Sequence, residues 1–109
     1  MRVALARALS TNPEILFLDE PFSALDEPTR FKLQEDLRKL HEENSNRAFV
    51  FVTHSVQEAV FLSSRILVLN SSGALQRDLR IEDSEKRTAD FRFQAQTVAK
   101  IREISQELT

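Results

Sequence analysis

Ile15-Leu16-Phe17-Leu18-Asp19-Glu20 and, further on, Ala48-Phe49-Val50-Phe51-Val52-Thr53-His54 are the stretches that decide how this chain folds. Each is a short run, apolar at every position, that ends abruptly in polar chemistry. Such runs fit strands covered on both faces of a parallel sheet. Ile66-Leu67-Val68-Leu69 reads as a third buried strand, closed by the turn signal Asn70-Ser71-Ser72-Gly73. Ala74 to Leu79 returns as an edge strand.

Between the strands the apolar period changes to that of a helix. Residues 2–10, rich in Ala and Leu, predict a helix buried on most sides, stopped by Ser10-Thr11-Asn12-Pro13. After a turn at Pro21 to Ser23, Asp26 suits an N-cap and Pro28 a first helical turn. That helix runs to about Glu43 on a Leu33, Leu37, Leu40 stripe, and Asn44-Ser45-Asn46 closes it. Its charges, Glu27, Arg30, Lys32, Glu35, Asp36, Arg38 and Lys39, alternate in sign as on a solvated face, and His41 reads as exposed. Ser55-Val56-Gln57-Glu58 is a capping box opening a short helix through about Leu62. A polar stretch, 80–90, leads to a last amphipathic helix on Phe91, Val98, Ile101, Ile104 and Leu108. Helix and strand alternating in this way predict an α/β fold, a mostly parallel sheet with flanking helices. In such sheets the working residues stand just past the carboxyl ends of the strands, here Asp19-Glu20 and Thr53-His54.

Composition narrows the function classes. The chain has 109 residues, 41% apolar and 29% charged, with 15 Lys+Arg against 17 Asp+Glu. That balance offers no basic stripe for nucleic acid. The absence of cysteine excludes disulfides and thiolate metal or redox sites. The apolar run at Met1 to Leu9 is broken by Arg7 and is too short for a signal-peptide core. No stretch approaches the roughly 20 apolar residues of a membrane span, so the expectation is a chain that is at most peripheral to a membrane. Gly73 is the one glycine, where average usage is about 7%. A glycine-rich phosphate loop is therefore excluded.

Four apolar residues followed by Asp-Glu form a Walker B pattern, in which the strand end projects a carboxylate toward magnesium held among nucleotide phosphates. By itself the hexad fits any buried strand followed by acids; the combination is far more specific. Ile15 through Glu20 followed by Pro21-Phe22-Ser23-Ala24-Leu25-Asp26 resembles the Walker B and D-loop of ABC ATPases almost letter for letter. Phe51-Val52-Thr53-His54 resembles their switch-histidine segment, and Val3 to Leu9 the helix after their signature sequence. Ser55 to Leu62 is similar to the helix after the histidine in bacterial importers. Pro21 to Asp26 and Glu58 to Leu62 most resemble the nitrate, sulfonate, taurine and bicarbonate importer ATPases, and the tail from Phe91 to Leu108 is similar to theirs.

The resemblance implies a partial RecA-like domain of the P-loop NTPase type, the C-terminal half of an ABC ATPase. Residues 1–79 would be the core part, and 80–109 a linker with a C-terminal helix. It implies ATP and Mg²⁺ as cofactors of the complete domain, with Asp19 on the metal, Glu20 polarising the attacking water and His54 as switch histidine. Ser23, Ala24, Leu25 and Asp26 would lie in the D-loop at the interface with a second ATPase subunit. A permease subunit would hold the assembly peripherally on the cytoplasmic face of the cell membrane. The chain departs from the family pattern in lacking the Walker A loop and the Leu-Ser-Gly-Gly signature, so the expectation is that alone it neither binds ATP tightly nor hydrolyses it. A competing reading is a non-catalytic module that pairs with a complete ATPase subunit or a separate N-terminal half. DNA-associated and translation-associated ABC ATPases share Walker B and the histidine, but residues 55–62 and the lack of a basic stripe argue against them. The eight phenylalanines read mostly as core, with Phe22 and Phe61 as alternatives for surface contacts to a transporter subunit.

Overall fold

The computed structural model describes residues 2–43, 46–81, 87 and 89–108, and the chain divides into two compact units, residues up to His54 and from Ser55 onward. The first unit contains α1 (Arg2–Ser10), β1 (Ile15–Asp19), α2 (Glu27–Glu43) and β2 (Ala48–Val52). β1 and β2 pair in parallel, with Ile15 opposite Ala48, Phe17 opposite Val50 and Asp19 opposite Val52. The Asp26 carbonyl accepts the Arg30 N–H at 2.9 Å, which sets Asp26 at the start of α2 as its sequence predicts. Leu37 is buried in α2, and His41 lies edge-on to Phe49 of β2 with ring centroids 5.0 Å apart.

Three expectations for this unit are corrected. α1 is not buried on most sides: Val3 is 69% exposed, and Ala6, Arg7 and Ser10 are exposed. The strands are covered on one face only. Leu16 is buried and Leu18, Phe49 and Phe51 are half-buried, while Ile15, Phe17 and Val52 lie open, Phe17 at 72%. Strand periodicity alone cannot report whether a second layer lies on an apolar face. Arg38 is buried beside Glu42, 3.5 Å away, and His41 is half-buried against Phe49, so the charged helix is not solvated all round. The long aliphatic stem of arginine makes such burial tolerable. Of the residues expected to close α2, Asn44 and Ser45 lie outside the described residues.

The second unit contains α3 (Val56–Leu62), β3 (Arg65–Leu69), β4 (Leu75–Arg80), a 3-10 turn η1 (Ala89–Phe93) and α4 (Ala95–Glu107). The Ser55 half of the capping box forms as expected: its side chain accepts the Glu58 N–H at 3.3 Å. β3 does not extend a parallel sheet but pairs antiparallel with β4, Ile66 opposite Leu79, so the parallel arrangement is confined to β1 and β2. The turn decides this. Asn70 Oδ1 accepts the N–H groups of Ser72 and Ala74 at 3.0 Å each, and Gly73 supplies φ 84. That geometry returns the chain directly on itself. Val60, Phe61, Leu62, Ile66, Val68, Leu79, Ile81, Phe91 and Ile104 form the core, each contributing on the order of 2 kcal/mol of burial. Phe22 and Phe61 are fully buried or nearly so, which excludes both as surface contacts. Val98 and Leu108, expected on the apolar stripe of the last helix, are exposed, and Thr97 and Ile104 are the residues α4 buries. Most of the polar stretch 80–90, at 82–86 and 88, lies outside the described residues.

Charge pairs tie the hairpin to itself and to α4. Arg65 Nη2 meets Asp78 Oδ2 at 2.7 Å; Arg77 bridges Glu103 at 3.2 Å and Glu107 one helical turn on. The Arg65 hydrogen bond holds the Asp78 carboxyl below its ordinary range, and Arg77, followed by Lys100, does the same for Glu103. Both folded-state values are depressed, so this stabilisation is fully present above the unfolded carboxyl range, about pH 4, and is lost as pH falls through the folded values. Amide exchange in α4 and β4, corrected for intrinsic rates, should therefore accelerate on acidification below about pH 4. The double variant Asp78→Asn, Glu103→Gln should flatten that dependence; an unchanged profile refutes the assignment.

Candidate functional site

The site lies at the carboxyl ends of β1 and β2. Parallel register makes those ends neighbours: with Asp19 opposite Val52, the residues just beyond, Glu20 and His54, emerge at one sheet edge. The ladder continues one step past β1, since the Glu20 N–H donates to the Val52 carbonyl at 2.8 Å. Glu20 then turns sharply, with φ 46, a left-handed conformation that costs a non-glycine residue of order 1–3 kcal/mol. Its carbonyl accepts the Ser23 N–H at 3.4 Å and the Ser23 hydroxyl at 3.1 Å, which holds the turn in place. Phe22, fully buried, and the Leu25 N–H on the Phe22 carbonyl at 3.2 Å anchor the rest of the loop. Ser23, Ala24 and Asp26 are exposed on it, and Leu25 is half-buried.

This backbone directs the Glu20 side chain along the sheet edge. One carboxylate oxygen accepts the His54 backbone N–H at 3.1 Å and meets His54 Nδ1 at 2.8 Å. The two residues expected to act together are thus in direct contact. The His54 ring is otherwise open, 87% exposed at the side chain, against 33% for Glu20. Asp19, the third expected residue, is exposed at the end of β1, and no described residue forms a hydrogen bond or ion pair with its carboxylate. Among the described residues no group of three or more His, Cys, Asp or Glu could hold a metal ion. The single exposed carboxylate of Asp19 is a donor of the kind magnesium takes, since that ion is usually held by one or two carboxylates together with phosphate oxygens and water, not by an all-protein cage.

The sequence carried no signal for three features: the left-handed turn at Glu20, the clamp from Ser23, and the burial of Arg87 in the second unit. Arg87 stands in a polar stretch, yet it is 3% exposed. Its guanidinium donates to the carbonyls of Val60, Phe61, Ser63 and Ile81 and lies over the Phe91 ring.

No family model matches the chain. Individual relatives do match, among them ATP-binding subunits of ABC transporters. The taurine import ATP-binding protein TauB of Rhizobium johnstonii is 49% identical over 69 residues, 63% of this chain and 26% of that protein. The aliphatic sulfonates import ATP-binding protein SsuB 1 of Rhodococcus jostii is 49% identical over 86 residues, 79% of this chain and 34% of that protein. The bicarbonate transport ATP-binding protein CmpC of Synechococcus elongatus is 57% identical over 70 residues, 64% of this chain and 10% of that protein. Over the matched span the chain is similar to the ATP-binding subunits of ABC transporters. It spans about a third or less of the length of these relatives. Among the described residues, no helix is long and apolar enough to cross a membrane.

Proposed function

We propose that this chain is the part of an ABC importer ATPase that brings the Walker B carboxylates, the D-loop and the switch histidine to a composite ATP site of RecA-like type. The observation that carries the reading is the sheet edge itself: Glu20 and His54 in contact at 2.8 Å, with Asp19 unengaged at the end of the same strand. Asp19 would hold magnesium together with phosphate oxygens and water. Bound magnesium neutralises charge on the terminal phosphates. Glu20 orients an attacking water and takes up its proton, and His54 contacts the terminal phosphate, where a ring N–H stabilises developing charge. Ser23, Ala24, Leu25 and Asp26 face a second ATPase subunit, and a permease subunit carries the solute across the membrane, with the ATPase peripheral on its cytoplasmic side. The phosphate loop and the signature come from polypeptide outside these 109 residues, since a chain with one glycine cannot build the first. ATP turnover tests this. The purified chain should show no magnesium-dependent hydrolysis, and the chain fused behind the N-terminal portion of the taurine relative should show it. Turnover by the chain alone, or a folded but inactive fusion, overturns the proposal.

A second reading, an interaction module that pairs with a separate Walker-A-bearing polypeptide, is favoured by the open sheet face. Ile15, Phe17, Val50 and Val52 form an uncovered apolar surface, and parallel sheets are otherwise covered on both faces. Co-expression with such a polypeptide should give a complex that Phe17→Glu disrupts. A monomeric chain that unfolds cooperatively and is indifferent to that substitution counts against this reading.

A further inference from the structure

Among the described residues β4 pairs with β3 in a two-stranded sheet and with no other strand. The register tells which of its backbone groups are left at the open edge. The Ile81 N–H donates to the Ser64 carbonyl at 2.9 Å, so Ile81 and Leu79 turn their N–H and C=O toward β3. Backbone groups alternate sides along a strand, and Asp78 and Arg80 therefore present theirs outward. Both residues are also exposed at the side chain, on the face opposite buried Leu79. Their charges are opposite. Asp78 holds Arg65 through two hydrogen bonds, at 2.7 and 2.9 Å. Arg80 stands directly opposite Arg65, a like-charge neighbour of the kind that destabilises a hairpin, and it forms no hydrogen bond or ion pair with a described residue. We propose that β4 is a self-association edge: a second copy of this chain adds antiparallel about a two-fold axis at Leu79, which sets Asp78 of each copy opposite Arg80 of the other.

Geometry and charge select that register. Two-fold pairing of antiparallel strands sets same-face residues opposite one another, and outward-facing backbone groups against outward-facing ones. An axis at Asp78 brings two carboxylates face to face, and an axis at Arg80 two guanidiniums; like charges directly opposite are unfavourable. Toward the turn the regular edge ends at Gln76, which has no partner in the β3 ladder. The axis at Leu79 gives two attractive pairs and lets Asp78 and Arg80 exchange both backbone hydrogen bonds. Charged side chains on an edge strand ordinarily deter pairing. Here their alternation opposes the neighbouring registers and favours this one. The interface is isologous, so it closes as a dimer and does not propagate.

Sedimentation equilibrium of the whole chain, from micromolar to millimolar concentration, tests the proposal. The chain should pass from monomer to dimer, and hydrogen exchange at the Asp78 and Arg80 amides should slow as concentration rises. Arg80→Glu turns both attractive pairs repulsive and should weaken the dimer by about 10-fold or more. Phe17→Glu, in the first unit, should leave it unchanged. Asp78→Arg should also fail to self-associate, yet an equimolar mixture of the two charge variants should associate, because both pairs between the copies are then attractive. A chain that stays monomeric overturns the proposal, as does a dimer indifferent to Arg80→Glu, a dimer lost with Phe17→Glu, or a mixture that stays apart. Should Asp78→Arg lose its fold along with the Arg65 contact, amide exchange decides in place of the mixture: rates at Asp78 and Arg80 that do not depend on concentration overturn the proposal. None of these outcomes bears on the ATPase reading, which turnover tests.

Discussion

Glu20→Gln in the fused domain should slow ATP hydrolysis by about 10²–10⁴-fold, the usual worth of a positioned general base, while ATP binding stays nearly unchanged. Glutamine keeps the length and one acceptor oxygen, so the strained turn and its clamps from Val52 and Ser23 should survive. The capacity to take a proton is lost, together with the negative charge that faces His54. Single-turnover rates measured beside nucleotide affinity separate the two effects. Loss of affinity with an unchanged chemical step would assign Glu20 to binding. His54→Ala should also slow the chemical step, and its effect should combine less than additively with that of Glu20→Gln, because residues in contact couple.

Arg87→Ala should destabilise the second unit by about 2 kcal/mol or more, the scale of leaving buried carbonyls without a donor. The guanidinium serves four carbonyls, three of them, Val60, Phe61 and Ser63, at the carboxyl end of α3. Those carbonyls carry the negative end of the helix dipole, so a cation there is doubly favourable. Without it they remain buried and unserved, each costing about 1–3 kcal/mol. Arg87→Lys keeps the charge but, as a compact point donor, cannot span all four acceptors, and it should recover only part of the loss. Urea unfolding followed by far-ultraviolet circular dichroism checks the order: unsubstituted chain, then lysine, then alanine. A lysine variant no better than alanine would assign the effect to stacking on Phe91 instead.

Local signals were the legible ones. The strands, the cap at Ser55, the turn at Asn70 to Gly73 and the start of α2 at Asp26 follow from residues within a few positions of one another, and the structure places them as predicted. What the sequence concealed are properties of faces and distant pairs. The apolar runs of β1 and β2 look alike whether one side or both are covered, so the openness of Phe17 was unreadable. Leu67 and Leu69 likewise read as buried and are exposed. The antiparallel return of β3 and β4 follows from the short turn, a signal that was present but subordinate to the α/β rhythm. At the site, residue types and strand-end positions were legible through resemblance. The contact between Glu20 and His54 depends on the register of Ile15 with Ala48, which no single segment encodes.

The Asn70–Gly73 turn has a practical use. Ser71 is exposed there, and the space where a Gly73 side chain would stand has no atom within 4 Å. With no cysteine anywhere in the chain, Ser71→Cys would create a single thiol at a loop tip. A fluorophore or spin label attached there would report on the hairpin and on assembly with other polypeptides.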